Sequence, residues 1–151
     1  MAAVIVIHAD ALFCDSTHDV PNCEPDGHAL RWYHNLAEGS AEQLVVTCDS
    51  PNAGLVDRWL RNFDLKYSYV LHLEGHDARQ RMERLIKNVA LQQAKIVLFI
   101  GGRFIDCNHM ADLGVPSLRY LPPNSAAKWE TDQRTTWERV VAEQGGEHGA
   151  V

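Results

Sequence analysis

Four β-branched residues in succession, Val4-Ile5-Val6-Ile7, stop abruptly at two polar side chains, His8 and Asp10. A run that is apolar at every position leaves no face for water. It is therefore expected as a strand covered on both sides, the hallmark of a parallel sheet between helices. In an open α/β sheet, the residues just past a strand's carboxyl end face the ligand crevice. His8 and Asp10 are thereby placed at a candidate site.

The rest of the chain repeats the same alternation. Residues 11–25, with two prolines and several Asp, Asn and Ser, read as a loop. Asp26 caps a helix through Leu30, Tyr33 and Leu36 that stops at Gly39. Gln43 to Thr47 is a second buried strand, and Ser50-Pro51 is the start signal of a helix placing Val56, Trp59, Leu60 and Phe63 on one stripe. Tyr67 to Leu73 is a strand. A helix over about 77–94 buries Met82, Leu85, Ile86, Val89 and Ala90, with Lys87 off that stripe. Lys95 to Ile100 is the strongest strand, closed by Gly101-Gly102-Arg103. A short helix over about 106–113 ends at Gly114, Ser117 to Leu121 forms a last strand, and Ser125 caps a terminal helix carrying Trp129, Trp137, Val140 and Val141. The expected fold is α/β, a Rossmann-like three-layer sandwich with a mainly parallel sheet of about five strands.

The 151 residues suit one domain, residues 1–144 including the terminal helix, with a flexible tail over 145–151. With 14 Lys and Arg against 20 Asp and Glu, the net charge of −6 argues against binding nucleic acid by bulk charge. A local basic cluster remains at Arg79, Arg81, Arg84 and Lys87. No apolar run approaches the ~18 residues of a membrane span, and the start lacks a basic leader. A soluble, cytoplasmic protein is expected. Cys14, Cys23, Cys48 and Cys107 form no Cys-x-x-Cys pair and read as thiols. Cys14, His18, Cys23 and His28 are loosely spaced like a zinc knuckle but match no zinc signature; the alternative is a polar loop that happens to contain them.

Three strands end in polar groups that can converge: His8 and Asp10, Thr47, and Gly101-Gly102-Arg103 with Asp106. In these motifs the chain resembles, over residues 4 to about 121, the haloacid dehalogenase-like phosphohydrolases. Within them it is most similar to the phosphatase domain of polynucleotide kinase-phosphatases, phage forms included, which would imply a host cytoplasm or virion. The family's opening Asp-x-Asp stands here as His8-Ala9-Asp10, its strand ending in Thr or Ser as Val45-Val46-Thr47, and its helical lysine as Lys87, with Asp77 upstream. Its acidic last motif stands as Gly101-Gly102-Arg103-Phe104-Ile105-Asp106, followed by Met110 to Pro116.

The resemblance implies that the attacking aspartate is replaced by His8 and one Mg²⁺-binding acid by Gly102. Asp106 would remain as an acid at the metal position and Asp10 as general acid/base, both weak metal candidates. Thr47 and Lys87 would be phosphate ligands, with Arg103 a third candidate facing an anion. Each has a plainer reading: His8 hydrogen-bonded at a strand end, Asp10 capping loop amides, Thr47 in a capped loop, Lys87 solvated, Arg103 a surface ion pair. The first expectation is a catalytically inactive relative with a binding, regulatory or assembly role and no cofactor. Its partner would be another protein, a second copy or a phosphate-bearing ligand. The second is a Mg²⁺-dependent phosphohydrolase acting on a nucleotide or a nucleic-acid 3′-phosphate, with Asp10, Asp106 and an inward-folded Asp49 in a rearranged site.

Overall fold

A computed structural model of the chain describes residues 1–12, 24–49 and 53–120. The element order is β1 (Ala2–His8), a single 3₁₀ turn (Ala9–Ala11), α1 (Gly27–Gly39), β2 (Gln43–Cys48), α2 (Ala53–Asn62), β3 (Tyr69–His72), α3 (Ala78–Leu91), β4 (Ala94–Gly101), α4 (Phe104–Asp112) and β5 (Ser117–Arg119). All strand pairs are parallel and the sheet order is β3-β2-β1-β4-β5. The expected α/β fold with a five-stranded sheet is what the chain adopts.

Side-chain alternation along the central strands divides the core in two. Ile5, Ile7, Leu44, Val46 and Ile100 pack with Tyr33 of α1 and with Val56, Trp59 and Leu60 of α2. Val4, Val6, Val45, Ile96 and Phe99 pack with Met82, Leu85 and Val89 of α3 and with Cys107 and Met110 of α4. The continuous apolar run of β1 is thus explained: both of its faces are core. The β1–β4 register shifts between Val4 and Ile5, which pair with Ile96 and Leu98. The extra residue, Val97, lets Ile96 and Phe99 point to the same side.

From β1 the chain steps one way to β2 and β3, then returns to add β4 and β5 on the other side of β1. The direction reverses between β1 and β4. At such a switch point the strand carboxyl ends diverge into a crevice, and here they deliver His8 and Gly101 to it.

Local signals set the helix ends. The Asp26 carboxylate accepts the Ala29 amide at 2.9 Å at the start of α1, and Asp77 accepts the Gln80 amide at 2.7 Å at the start of α3. Gly114, at φ +89°, follows α4 in the left-handed conformation that favours glycine. Some expected boundaries move. α3 stops at Leu91 because Gln93 turns to φ +58°, and Ala90 is exposed rather than buried. α4 begins two residues before the expected 106. The Ser50-Pro51 start signal, Cys14, His18, Cys23, the terminal Trp129/Trp137 helix and the 145–151 tail lie outside the described residues. His28 is exposed on α1, and Cys48 and Cys107 are buried thiols. Among the described residues no helix is long and apolar enough to cross a membrane.

Asp26 also binds the far end of the chain described here. Tyr120, just past β5, donates its hydroxyl to Asp26 Oδ2 at 2.5 Å, and its ring lies 5.4 Å from that of Trp32. One carboxylate thus serves a helix cap and an inter-element hydrogen bond. Asp26→Ala is expected to lower the unfolding free energy by about 1–3 kcal/mol, more than a lone cap, as measured by urea denaturation.

Candidate functional site

Each strand end contributes for a local reason. β1 ends at His8 and tightens into the 3₁₀ turn, which buries Asp10. β2 pairs with β1 so that Thr47 lies opposite His8, and Asp49 follows one residue beyond the strand. β4 ends in Gly101, after which Gly102 and Arg103 lead directly into α4. There Asp106 occupies the first turn, fully buried. α3 begins near the same end and brings Arg81 from its first turn.

Arg103 joins these pieces. Its Nη2 lies 2.5 Å from Asp49 Oδ2, its Nε and Nη2 both lie 2.9 Å from Asp106 Oδ2, and its Nε lies 3.3 Å from Asp10 Oδ2. One guanidinium therefore faces three carboxylates, from the turn after β1, the loop after β2 and the first turn of α4. Its planar fork of donors is suited to this, as a lysine point charge is not.

His8 is a second cation in the cluster. Its Nδ1 lies 2.9 Å from Asp10 Oδ1 and its Nε2 lies 3.1 Å from Asp49 Oδ1. Burial opposes a charged ring, but the charges and hydrogen bonds of Asp10 and Asp49 outweigh it and push the pKa up to about 10. The Asp10 amide nitrogen also lies 3.2 Å from Nδ1, a contact that suits a neutral ring. The two flanking carboxylates decide for the charged one, in which both ring nitrogens donate. Burial likewise opposes ionisation of Asp10 and Asp49. For Asp10 it is outweighed by His8, Arg103 and the Gly102 amide; for Asp49, by His8, Arg103 and Arg81. Both acids are held below the usual carboxylate range.

Gly102 makes contacts of its own. Its amide donates to Asp10 Oδ1 at 3.0 Å, and a Cβ there would lie 3.1 Å from the Asp10 carbonyl oxygen and 3.2 Å from its carbon. Any side chain at 102 is in tight contact with the Asp10 turn, which has to give slightly to admit it. The glycine lets these two segments touch without that adjustment.

Of the residues singled out from sequence, His8, Asp10, Thr47, Arg103 and Asp106 come together. Lys87 does not. It is exposed on α3, about 9 Å along the helix axis from Arg81 at 1.5 Å per residue, and shares a concavity of about 540 Å³ with His72, Glu74 and Arg84. Asp77 is the α3 cap. Arg81 takes the cationic place on α3, with Nη2 3.7 Å from Asp106 Oδ1 and Nε 4.0 Å from Asp49 Oδ1. Asp49 does fold inward, toward His8 and Arg103, and His72 Nε2 meets its backbone carbonyl oxygen at 3.2 Å. His72 was invisible in the sequence pattern. Arg81 was visible only as part of a basic cluster, although its place in the first turn of α3 was a usable signal.

One atom each of His8, Asp10 and Asp106 lie within 4.8 Å of one another, the spacing of a metal cluster. Mg²⁺ asks for near-octahedral oxygen ligands at about 2.0–2.1 Å. Here the histidine is charged, and a guanidinium already occupies the space between the acids. The donor set suits Arg103, not Mg²⁺. Compared with protein-family models, the sequence matches none, and no curated protein matches it either.

Two outcomes follow from the cluster. Arg103→Met leaves the acids facing one another. The expected loss is about 2–4 kcal/mol in urea denaturation, discounted from the roughly 3–5 of a fully buried pair because 31% of the Arg103 side chain is exposed. The pH dependence has a definite sign. His8 has a folded pKa of about 10 against 6.5 unperturbed, so its stabilisation is complete below pH 6.5 and is lost as pH rises through 10. Denaturation curves from pH 6 to 10 should show that decline in the native protein and a shallower one in His8→Gln.

Proposed function

We propose that this chain is a non-catalytic protein of the haloacid dehalogenase-like kind, whose strand-end crevice serves binding or regulation rather than hydrolysis. The observation that carries this reading is the position of Arg103 among Asp10, Asp49 and Asp106. A resident guanidinium takes the place a catalytic cation needs, and it cannot act as a Lewis acid or activate a bound water. A protonated His8 in the position of the attacking carboxylate supports the same reading, since an imidazolium has no free electron pair to attack with. Gly102 adds to it: an acid there would press on the backbone of the Asp10 turn.

The test is phosphate release from an aryl phosphate and from a 3′-phosphorylated oligonucleotide, with Mg²⁺, Mn²⁺ and Zn²⁺ supplied separately. Thermal melts are run at the same metal concentrations. The expected result is no turnover above buffer and no metal-dependent rise in Tm. Metal-dependent turnover that disappears in Asp10→Asn would overturn the reading in favour of a phosphohydrolase with a rearranged site.

A further inference from the structure

Three cationic groups converge on the Asp49 carboxylate: His8 Nε2 at 3.1 Å, Arg103 Nη2 at 2.5 Å and Arg81 Nε at 4.0 Å. They come from β1, the start of α4 and the first turn of α3, so no single element accounts for the arrangement. Asp49 differs from the other acids of the cluster. Its side chain is 32% exposed, against 11% for Asp10 and 0% for Asp106, and it sits beyond the end of β2 rather than inside a turn or helix. It is the acid that can leave.

Two potential donors in the cluster lack a hydrogen-bond partner, as do the buried acceptor oxygens Asp10 Oδ2 and Asp106 Oδ1. Arg81 Nε is buried without a hydrogen-bond acceptor, because the flat Asp49 carboxylate stops 4.0 Å short of it. Thr47, fully buried and opposite His8 in register, has its hydroxyl oxygen without a partner. Parallel partners in register share a sheet face, so this hydroxyl is on the His8 side of the sheet. A carboxylate satisfies two of the three cations and leaves a donor over. A tetrahedral oxyanion offers oxygens in more directions, enough for His8, Arg103 and the neglected Arg81 at once.

We propose that Asp49 is a displaceable internal anion: it occupies an oxyanion site built from His8, Arg81 and Arg103, and a phosphate-like group binds by swinging it out. The proposal rests on the reading of Arg103 as the crevice's resident cation. The free protein is then self-closed, and its apparent affinity is lowered by the fraction of time Asp49 is home.

The experiment is calorimetric titration of the full chain with inorganic phosphate at constant ionic strength, in the native protein, Asp49→Asn, Asp64→Asn and Arg103→Gln. Asp64 is exposed beyond the far end of α2, so its replacement removes the same charge away from the crevice. Asp49→Asn is expected to bind phosphate roughly tenfold more tightly than native, Asp64→Asn to match native, and Arg103→Gln to lose binding. In parallel, the ring resonances of His8 in histidine-labelled native protein are followed through the same titration, and a saturable shift is expected. Equal affinity in native and Asp49→Asn overturns the proposal. If Asp49→Asn does not fold, the native titration decides: a saturable His8 shift supports the displacement and an unmoved resonance overturns it. Either failure leaves the non-catalytic reading standing, because only metal-dependent turnover removes that one.

Discussion

The contact of the Arg103 guanidinium with three carboxylates is what the carboxyl end of this sheet depends on. Asp10, Asp49 and Asp106 arrive from a 3₁₀ turn, a loop and the first turn of α4, and two of them are buried to a depth where an unpaired charge is not tolerated. Mutual repulsion would drive these segments apart. Arg103 reverses the sign of the interaction, and His8 repeats the device on the other side of Asp10 and Asp49. Gly102 completes it with a backbone amide. The result is a closed network in which each acid has a cationic neighbour and each segment is tied to another.

The fold makes the convergence unavoidable. Because strands are added on one side of β1 and then, from β4, on the other, the residues after both parallel strands come to one crevice, whatever those residues are. The irregularity at Val97 keeps the inner faces in phase, so that Ile96 and Phe99 remain in one core while Leu98 and Ile100 serve the other. Elsewhere the frame is fastened by tyrosines. Tyr33 is buried in α1 and donates to the Lys66 carbonyl oxygen ahead of β3 at 2.5 Å, and Tyr120 returns to the Asp26 cap. These hydrogen bonds satisfy groups that packing alone would leave unpaired. Polar chemistry is thereby concentrated at the carboxyl ends of the strands.

Much of this is legible in the sequence. The run at Val4–Ile7 required a strand covered on both faces, and the helix cap at Asp26 follows from short-range chemistry that a sequence displays directly, whereas the cap at Asp77 emerges only in the fold. Position 90 illustrates the opposite case. A periodic stripe extends on paper as far as apolar residues continue, whereas the helix ended where Gln93 turned left-handed. The site divides in the same way. Strand ends could be placed, so His8, Asp10, Thr47 and Asp106 were found together. Which long side chain reaches them depends on position along the helix axis, which periodicity does not report. Lys87 and Arg81 both belong to one basic cluster in sequence, yet only the residue in the first turn arrives. Nor can spacing disclose that Arg103 meets Asp49, 54 positions away, because that pairing exists only once β2 and β4 flank β1.

The same proton chemistry supports the proposed reading of the crevice as a binding feature. A general acid or base works best when its pKa lies near the working pH, so that both protonation states are accessible during turnover. Catalytic environments commonly achieve this by shifting pKa values toward neutrality: a carboxylic acid raised by burial, or a lysine lowered by it. Here burial exerts the same pressure, but ion pairing overrides it in the opposite direction. His8 is carried up to about 10, and Asp10 is held below the ordinary carboxylate range. The two groups best placed to exchange protons are each locked in their charged form, and each is the other's reason. A pair fixed in this way stores electrostatic attraction in the resting protein. That attraction becomes available to an external anion only if one of the internal acids gives up its place.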